Sequence, residues 1–147
     1  MTCDTSVVIQ IADWAADRDL LTAVRQAVFV EEQQVPLEIE LDERDPACLH
    51  VVAIIGTGCP VGTARMTTAG HIGRCAVLKE WRGRGIGSRL VSGLIDMARE
   101  LDLASVYLNS QIQAVPFYEK LGFHVTGEVF YEANIAHREM IRTITEQ

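Results

Sequence analysis

β-rich and helix-spaced segments alternate along this chain in the order β-α-β-β-β-α-β-α-β-β, which predicts a mixed α/β fold, a sheet flanked by helices. Two further observations bound that fold. The 147 residues are 48% hydrophobic and 22% charged, enough for one self-sufficient core, so a single domain is expected over residues 1–147. A glycine loop joins a strand to the longest helical pattern near residues 77–90, and no repeat, linker or low-complexity stretch divides the chain.

Val7 to Ile11 is β-rich and reads as the first strand. Asp17-Arg18-Asp19 then opens an amphipathic helix, with acids at its positive end. Leu20, Val24, Ala27 and Val28 form its apolar stripe, and it runs to Val30 or Glu32. Val35 to Asp45 is acidic and aperiodic, a loop. Leu49–Ile55 and Val61–Thr68 flank Gly56-Thr57-Gly58 as a hairpin. Ile72–Leu78 is a further strand, and Lys79–Arg84 a polar loop. Ile86, Leu90, Leu94, Met97, Ala98 and Leu101 keep the spacing of one long helix. Ala104–Asn109 is a strand. Pro116 suits the first turn of a short helix ending near Leu121. Phe123–Thr126, extended toward Phe130, and Arg138–Ile144 complete the sheet.

The formal net charge is −7, which argues against a nucleic-acid binder. The charge is uneven. From Arg74 to Arg89 five basic residues face one acid, Glu80, so that window is +4 and the remainder −11; such a window suggests a local anion site. No apolar run reaches the ~18 residues of a membrane span, and no secretory pattern opens the chain, so the expected location is cytoplasmic. Cys3, Cys48, Cys59 and Cys75 form no CxxC, and the four histidines form no HxxxH; neither a metal nor a disulfide framework is expected. A homodimer is compatible with this composition.

The chemistry concentrates in Val77-Leu78-Lys79-Glu80-Trp81-Arg82-Gly83-Arg84-Gly85-Ile86-Gly87-Ser88-Arg89-Leu90. Glycines at alternate positions leave main-chain N–H groups open where a helix starts, a phosphate seat with Arg82, Arg84 and Arg89 as nearby charge. A Walker loop would need lysine before Ser88. A dinucleotide fingerprint would need glycine at position 88. What the segment carries is Arg82-x-x-Gly85-x-Gly87, which resembles the Q/R-x-x-G-x-G/A acyl-CoA motif of the GNAT N-acetyltransferase superfamily. Ala114-Val115-Pro116-Phe117-Tyr118-Glu119-Lys120-Leu121-Gly122-Phe123 looks like that family's A-x-x-F/L-Y-x-x-x-G-F element. Val28-Phe29-Val30-Glu31-Glu32-Gln33 and the segment ending in His137-Arg138-Glu139-Met140 resemble the ElaA/YjcF-like branch. There Asn134-Ile135-Ala136 stands where Gly-Ile-Pro is usual.

The resemblance implies a single domain whose mostly antiparallel sheet contains a splayed parallel strand pair. It implies acetyl-CoA as acyl donor, a small-molecule primary amine as acceptor, direct attack, and no metal. The pyrophosphate would sit on Arg82, Gly83, Arg84, Gly85, Ile86, Gly87 and Ser88. Cys75, Ala76 and Val77 would offer strand groups to the pantetheine, with Asn109 and Phe117 near it. Tyr118 falls where the family places its general acid, and a phenol of pKa ~10 suits a leaving thiolate. His137 matches a histidine that serves as base in glyphosate-acetylating relatives, with Glu31 or Glu32 as the fallback. Arg25, Arg65 and Arg74 could fork an anionic acceptor. The seven acids between Glu31 and Asp45 would instead draw a cationic one. A non-catalytic acyl-CoA sensor on the same fold is the alternative function, though a pure binder needs neither Tyr118 nor His137.

Overall fold

The computed structural model describes residues 6–36, 44–56 and 58–144. Its elements are β1 (Val7–Ala12), α1 (Trp14–Arg25), β2 (Leu49–Ile55), β3 (Pro60–Met66), β4 (His71–Val77), α2 (Ile86–Glu100), β5 (Ser105–Gln111), α3 (Val115–Lys120), β6 (His124–Val125), β7 (Phe130–Glu132) and β8 (Ile135–Thr143). They form one eight-stranded sheet in the order β1-β2-β3-β4-β5-β8-β6, with β7 also on β8. Every neighbouring pair is antiparallel except β4 with β5. No described helix is long and apolar enough to cross a membrane.

Two differences from the sequence reading have local causes. The first helix begins three residues before Asp17, because the Asp13 carboxylate accepts from the Ala16 amide at 3.0 Å while Asp17 accepts from the Asp13 amide at 2.9 Å. That reciprocal capping satisfies two N–H groups that a helix start leaves open. Its buried stripe is Leu21, Val24 and Val28, with Leu21 in place of Leu20, and the winding loosens to a π-helix over Gln26–Glu32. The last strand begins at Ile135 instead of Arg138. Ala133 (φ 51°) and Asn134 (φ 64°) form the two-residue turn between β7 and β8, and left-handed angles at both positions match the twist of a tight hairpin. His137 therefore lies inside β8 and not before it. The strand anticipated from Phe123 toward Phe130 is two short ones. Most of the acidic loop, residues 37–43, lies outside the described residues.

The main core fills one face of the sheet beneath α2 and α3, with Leu90, Leu94, Val106, Leu108 and Met140 fully enclosed. The other face is covered by α1 and its π extension, through Leu21 on Val52 and through Val24 and Val28 on Ala76. That second layer is locked by charge. Asp45, 1% exposed, accepts from Arg25 Nη1 at 2.8 Å and Nη2 at 3.1 Å and from Arg65 Nη1 at 2.8 Å. Its carbonyl accepts from His50 Nε2 at 2.9 Å, and Trp14 stacks on the His50 ring.

Burial pushes the Asp45 carboxyl upward, but the hydrogen bonds from Arg25 and Arg65 outweigh it and hold the group below its ordinary value. A carboxyl depressed in the native state adds stability above its unfolded pKa of ~3.9, and that stability drains as pH falls through the lower native value. Asp45→Asn removes the buried carboxylate that Arg25 and Arg65 share and should cost about 3–5 kcal/mol in denaturant unfolding at neutral pH. The same variant should lack the part of the acid-induced loss that belongs to this carboxyl; equal stability at pH 7 would show that the cluster does not hold α1 to the sheet.

Candidate active site

The parallel pair is very short. His71 faces Tyr107 and Ile72 faces Leu108, and the pairing ends there. Past it, β4 follows β3, with Gly62 opposite Val77, and β5 follows β8, with Gln111 opposite His137. With no ladder pair beyond Ile72 and Leu108, the two strands part into a notch, with Cys75, Ala76 and Val77 on the β4 side and Asn109 on the β5 side.

The notch opens toward the start of α2. Gly83 and Gly85 have φ of 77° and 80°, and a Cβ on either would meet open space. Their conformation, not crowding, calls for glycine. Gly85 caps α2 with no side-chain hydrogen bond, so the first-turn amides of Ile86, Gly87 and Ser88 remain open donors at the positive end of the helix. Gly87 is glycine for a different reason: a Cβ there would stand 3.2 Å from the Phe117 ring. That contact seats α3 against α2.

The three arginines expected to supply charge to this loop are turned to the protein. Arg82 forks the Glu32 carboxylate with two bonds of 2.7 Å and donates Nε to the Val77 carbonyl at 2.9 Å. Arg84 lies 4.6 Å above the Trp81 ring and donates to the Glu80 carbonyl. Arg89 donates to the Val7 carbonyl. The open donors at the helix start are therefore main-chain ones. Glu32 is held below its ordinary value by the Arg82 hydrogen bond, which makes it a weak base; Glu31 is exposed beside it. Arg25 and Arg65 are committed to Asp45 and buried, so the structure does not place them as forks on an acceptor. Arg74 is half-buried at φ 51° in β4.

Tyr118 projects from α3 into the core beside the notch, 9% exposed, edge-on to Phe117 and Phe123. Cys75 of β4 packs against the same core cluster. Burial raises the phenol well above its ordinary value, and the neighbouring Cys75 adds to this. Burial likewise pushes the Cys75 thiol up to about 11. Both groups hold their protons at neutral pH. On the opposite wall His137 is 8% exposed and stacks on Phe130. Its Nδ1 lies 2.7 Å from the Ile135 carbonyl. A carbonyl only accepts, so Nδ1 carries the proton and Nε2 keeps the lone pair in the neutral ring.

One feature had no signal in the sequence reading. Gln113 Nε2 donates to Gln111 Oε1 at 2.7 Å, and Gln111 Nε2 to Gln33 Oε1 at 2.9 Å, a chain of amides from the end of β5 to the end of the π-helix. Among the described residues no group of His, Cys, Asp and Glu could hold a metal.

Residues 18–144 match the family model of the acetyltransferase (GNAT) domain. The chain is 39% identical over 123 residues to the uncharacterized N-acetyltransferase YjcF of Bacillus subtilis strain 168, covering 81% of this chain and 87% of that one. The structure of an acyl-CoA N-acyltransferase from Pseudomonas aeruginosa superposes with a TM-score of 0.83 at 28% identity, covering 94% of this chain and all of that one. Escherichia coli ElaA superposes with a TM-score of 0.82 at 26% identity, over 93% and 99% of the two chains. The chain belongs to the GNAT acetyltransferase family, and it is an acyltransferase of the ElaA/YjcF-like branch.

The Gly87–Phe117 contact makes a sign-reversing prediction. Alanine in a helix is favoured over glycine by about 0.5–1 kcal/mol, but beside the ring the added methyl must displace Phe117. Gly87→Ala should be neutral or destabilising in the natural protein and stabilising by about 0.5–1 kcal/mol in a Phe117→Leu background. Equal effects in both backgrounds, read by urea unfolding, would remove the packing role of Gly87.

Proposed function

We propose that the protein transfers an acetyl group from acetyl-CoA to a primary amine of a small molecule, by direct attack of the neutral amine. The observation that carries this reading is the notch between β4 and β5 opening onto a helix start whose main-chain donors have no side-chain cap. An elongated ligand with a diphosphate at one end and amides along its length fits that shape. The amides of Gly83 to Ser88 and the dipole of α2 would hold the diphosphate. The diverging edges of β4, at Cys75 to Val77, and β5, at Asn109, would take the amide-bearing arm as an added strand takes its neighbours. Bound there, acetyl-CoA supplies an activated acyl group.

The protein's own groups then do three things. The two walls align acceptor and donor, which is the largest contribution to rate in a transfer that needs no covalent enzyme intermediate. His137 Nε2 takes a proton from the acceptor's ammonium, which frees the nitrogen lone pair to attack, and later releases it to solvent. Tyr118 gives its phenolic proton to the departing sulfur and later regains one from solvent. An anionic acceptor loses support from Arg25 and Arg65, both held by Asp45.

Gly85→Glu tests the seat directly. The side chain has room, and a non-glycine residue at this φ costs about 1–2 kcal/mol, so the variant should fold. Calorimetric affinity for acetyl-CoA should fall on the order of 100-fold, because a carboxylate would stand where the diphosphate is expected. Unchanged affinity in the folded variant would remove the assignment.

The base is tested by substitution. With a primary amine found by following free-thiol release, His137→Ala should lower kcat/KM and leave acetyl-CoA affinity within about twofold. Unchanged kcat/KM would reassign the proton transfer to another group.

A further inference from the structure

Charge is sorted by face along β8. Met140 is enclosed in the main core beneath α2 and α3. Arg138 and Arg142, in step with it, donate to the carbonyls of Gly127 and Leu121. Alternation then puts His137, Glu139 and Ile141 on the opposite face. The pairing of β8 with β5 runs without a shift from Thr143 opposite Ser105 to His137 opposite Gln111, so no bulge disturbs that parity.

Two groups on this face keep an open valence. His137 is 8% exposed, its ring lies against Phe130 of β7, and Nδ1 is turned back to the Ile135 carbonyl. Nε2, on the far side of the ring, makes no hydrogen bond among the described residues. The one buried side-chain atom left unbonded among those residues is Thr63 Oγ1, so Nε2 reaches the open face. Glu139 is exposed; its Oε1 accepts from Thr126 Oγ1 at 3.0 Å, and its Oε2 has no partner among the described residues. Positions two apart on one strand face stand about 6–7 Å from each other. A buried base and a free carboxylate thus look out from one strip of sheet, bordered on β5 by Asn109 and Gln111. The two guanidinium groups of β8 face away from it, and Arg25 and Arg65 are held by Asp45.

We propose that Glu139 binds a second ammonium of the acceptor while His137 serves the first, which makes the acceptor an α,ω-diamine. The inference rests on the proposed acyl transfer and on the place of His137 in it. At ordinary bond lengths a chain of roughly three to five methylenes spans the gap between the two groups. The reacting nitrogen forms its bond to the acyl carbon as the C–S bond breaks, and its proton passes to His137. The second ammonium is unchanged, so the products are free CoA and the mono-acetylated diamine. A monoamine leaves the carboxylate without a partner, and an ω-amino carboxylate sets like charges together.

The test follows thiol release from acetyl-CoA with diaminopropane, putrescine, cadaverine, pentylamine and γ-aminobutyrate. For the best diamine, kcat/KM should exceed that for pentylamine by roughly 10- to 100-fold, the worth of one charge-assisted hydrogen bond, and γ-aminobutyrate should be poorest. Glu139 is exposed, so its variants should fold. Glu139→Gln should bring the diamine down to the level of pentylamine with acetyl-CoA affinity within about twofold. Glu139→Lys should reverse the order and favour γ-aminobutyrate over the diamines, which a merely structural role would not produce. Diamines no better than pentylamine, or a diamine preference that survives Glu139→Gln, would overturn the assignment and leave the acyltransferase reading intact. An equal loss for diamine and pentylamine in Glu139→Gln would overturn it too, because the carboxylate would then serve the reacting nitrogen. No thiol release with any primary amine would overturn the proposed function itself.

Discussion

Two residue pairs, His71 with Tyr107 and Ile72 with Leu108, join the halves of the sheet, and the candidate site follows from how little pairing that is. β1 to β4 form one antiparallel block and β5 to β8 another, and each strand at the junction stays with its outer partner. The junction is reinforced where it exists: the His71 and Tyr107 rings stack 4.7 Å apart and only 6° from parallel, and Ile72 and Leu108 are both buried in the main core. Beyond them β4 and β5 share no ladder pair, so the main-chain edges that would close a continuous sheet are left without each other. Edges of that kind invite another extended chain. A ligand with amide groups along its length satisfies them in a way an apolar molecule does not.

Contacts from other elements then hold the gap at a set width. Gly87 lets the Phe117 ring approach α2, which fixes α3, and α3 carries Tyr118 into the core that Cys75 and Val77 of β4 pack against. On the opposite face the π-helical end of the first helix reaches both sides. Val28 packs on Ala76 of β4, Glu32 is forked by Arg82 from the glycine loop, and Gln33 is bonded to Gln111 at the end of β5. An exposed ion pair such as Glu32–Arg82 adds little stability. Its consequence is geometric: it ties the loop to the helix and keeps the arginine fork off the open amides. The buried Asp45 cluster anchors the other end of that helix.

Much of this was legible in the sequence, and the parts that were not share a cause. Glycines at 83 and 85 announce a strand-to-helix turn because few residues tolerate its backbone angles. Helical spacing of Leu90, Leu94 and Ala98 announces the long helix because it reflects burial of one face. The motifs around Tyr118 and His137 identified the family. Side-chain partners were not legible. Arg82, Arg84 and Arg89 looked like charge for a phosphate because they are neighbours in sequence, yet each finds its partner in the protein. Arg25 and Arg65 looked like acceptor forks, but Asp45, twenty residues from either, claims both. Cys75 gave no sign of packing on the sheet face that holds Tyr118, because the bulge that turns it depends on a register shift that alternation alone does not reveal. The start of β8 was missed because Ala133-Asn134 lacks the glycine that usually marks so tight a hairpin.

The central claim is that the diverging strands and the uncapped start of α2 form one continuous donor site. A crystal structure of the protein grown with CoA tests it most directly. The account predicts the diphosphate within hydrogen-bond distance of the amides between Gly83 and Ser88, and the amide-bearing arm lying between Cys75–Val77 and Asn109 with its sulfur beside Tyr118. CoA seated elsewhere, for example in the shallow cleft between Trp14, His50 and Met97 on the β1 side of the sheet, would contradict it, as would a diphosphate held by arginine side chains away from the helix start.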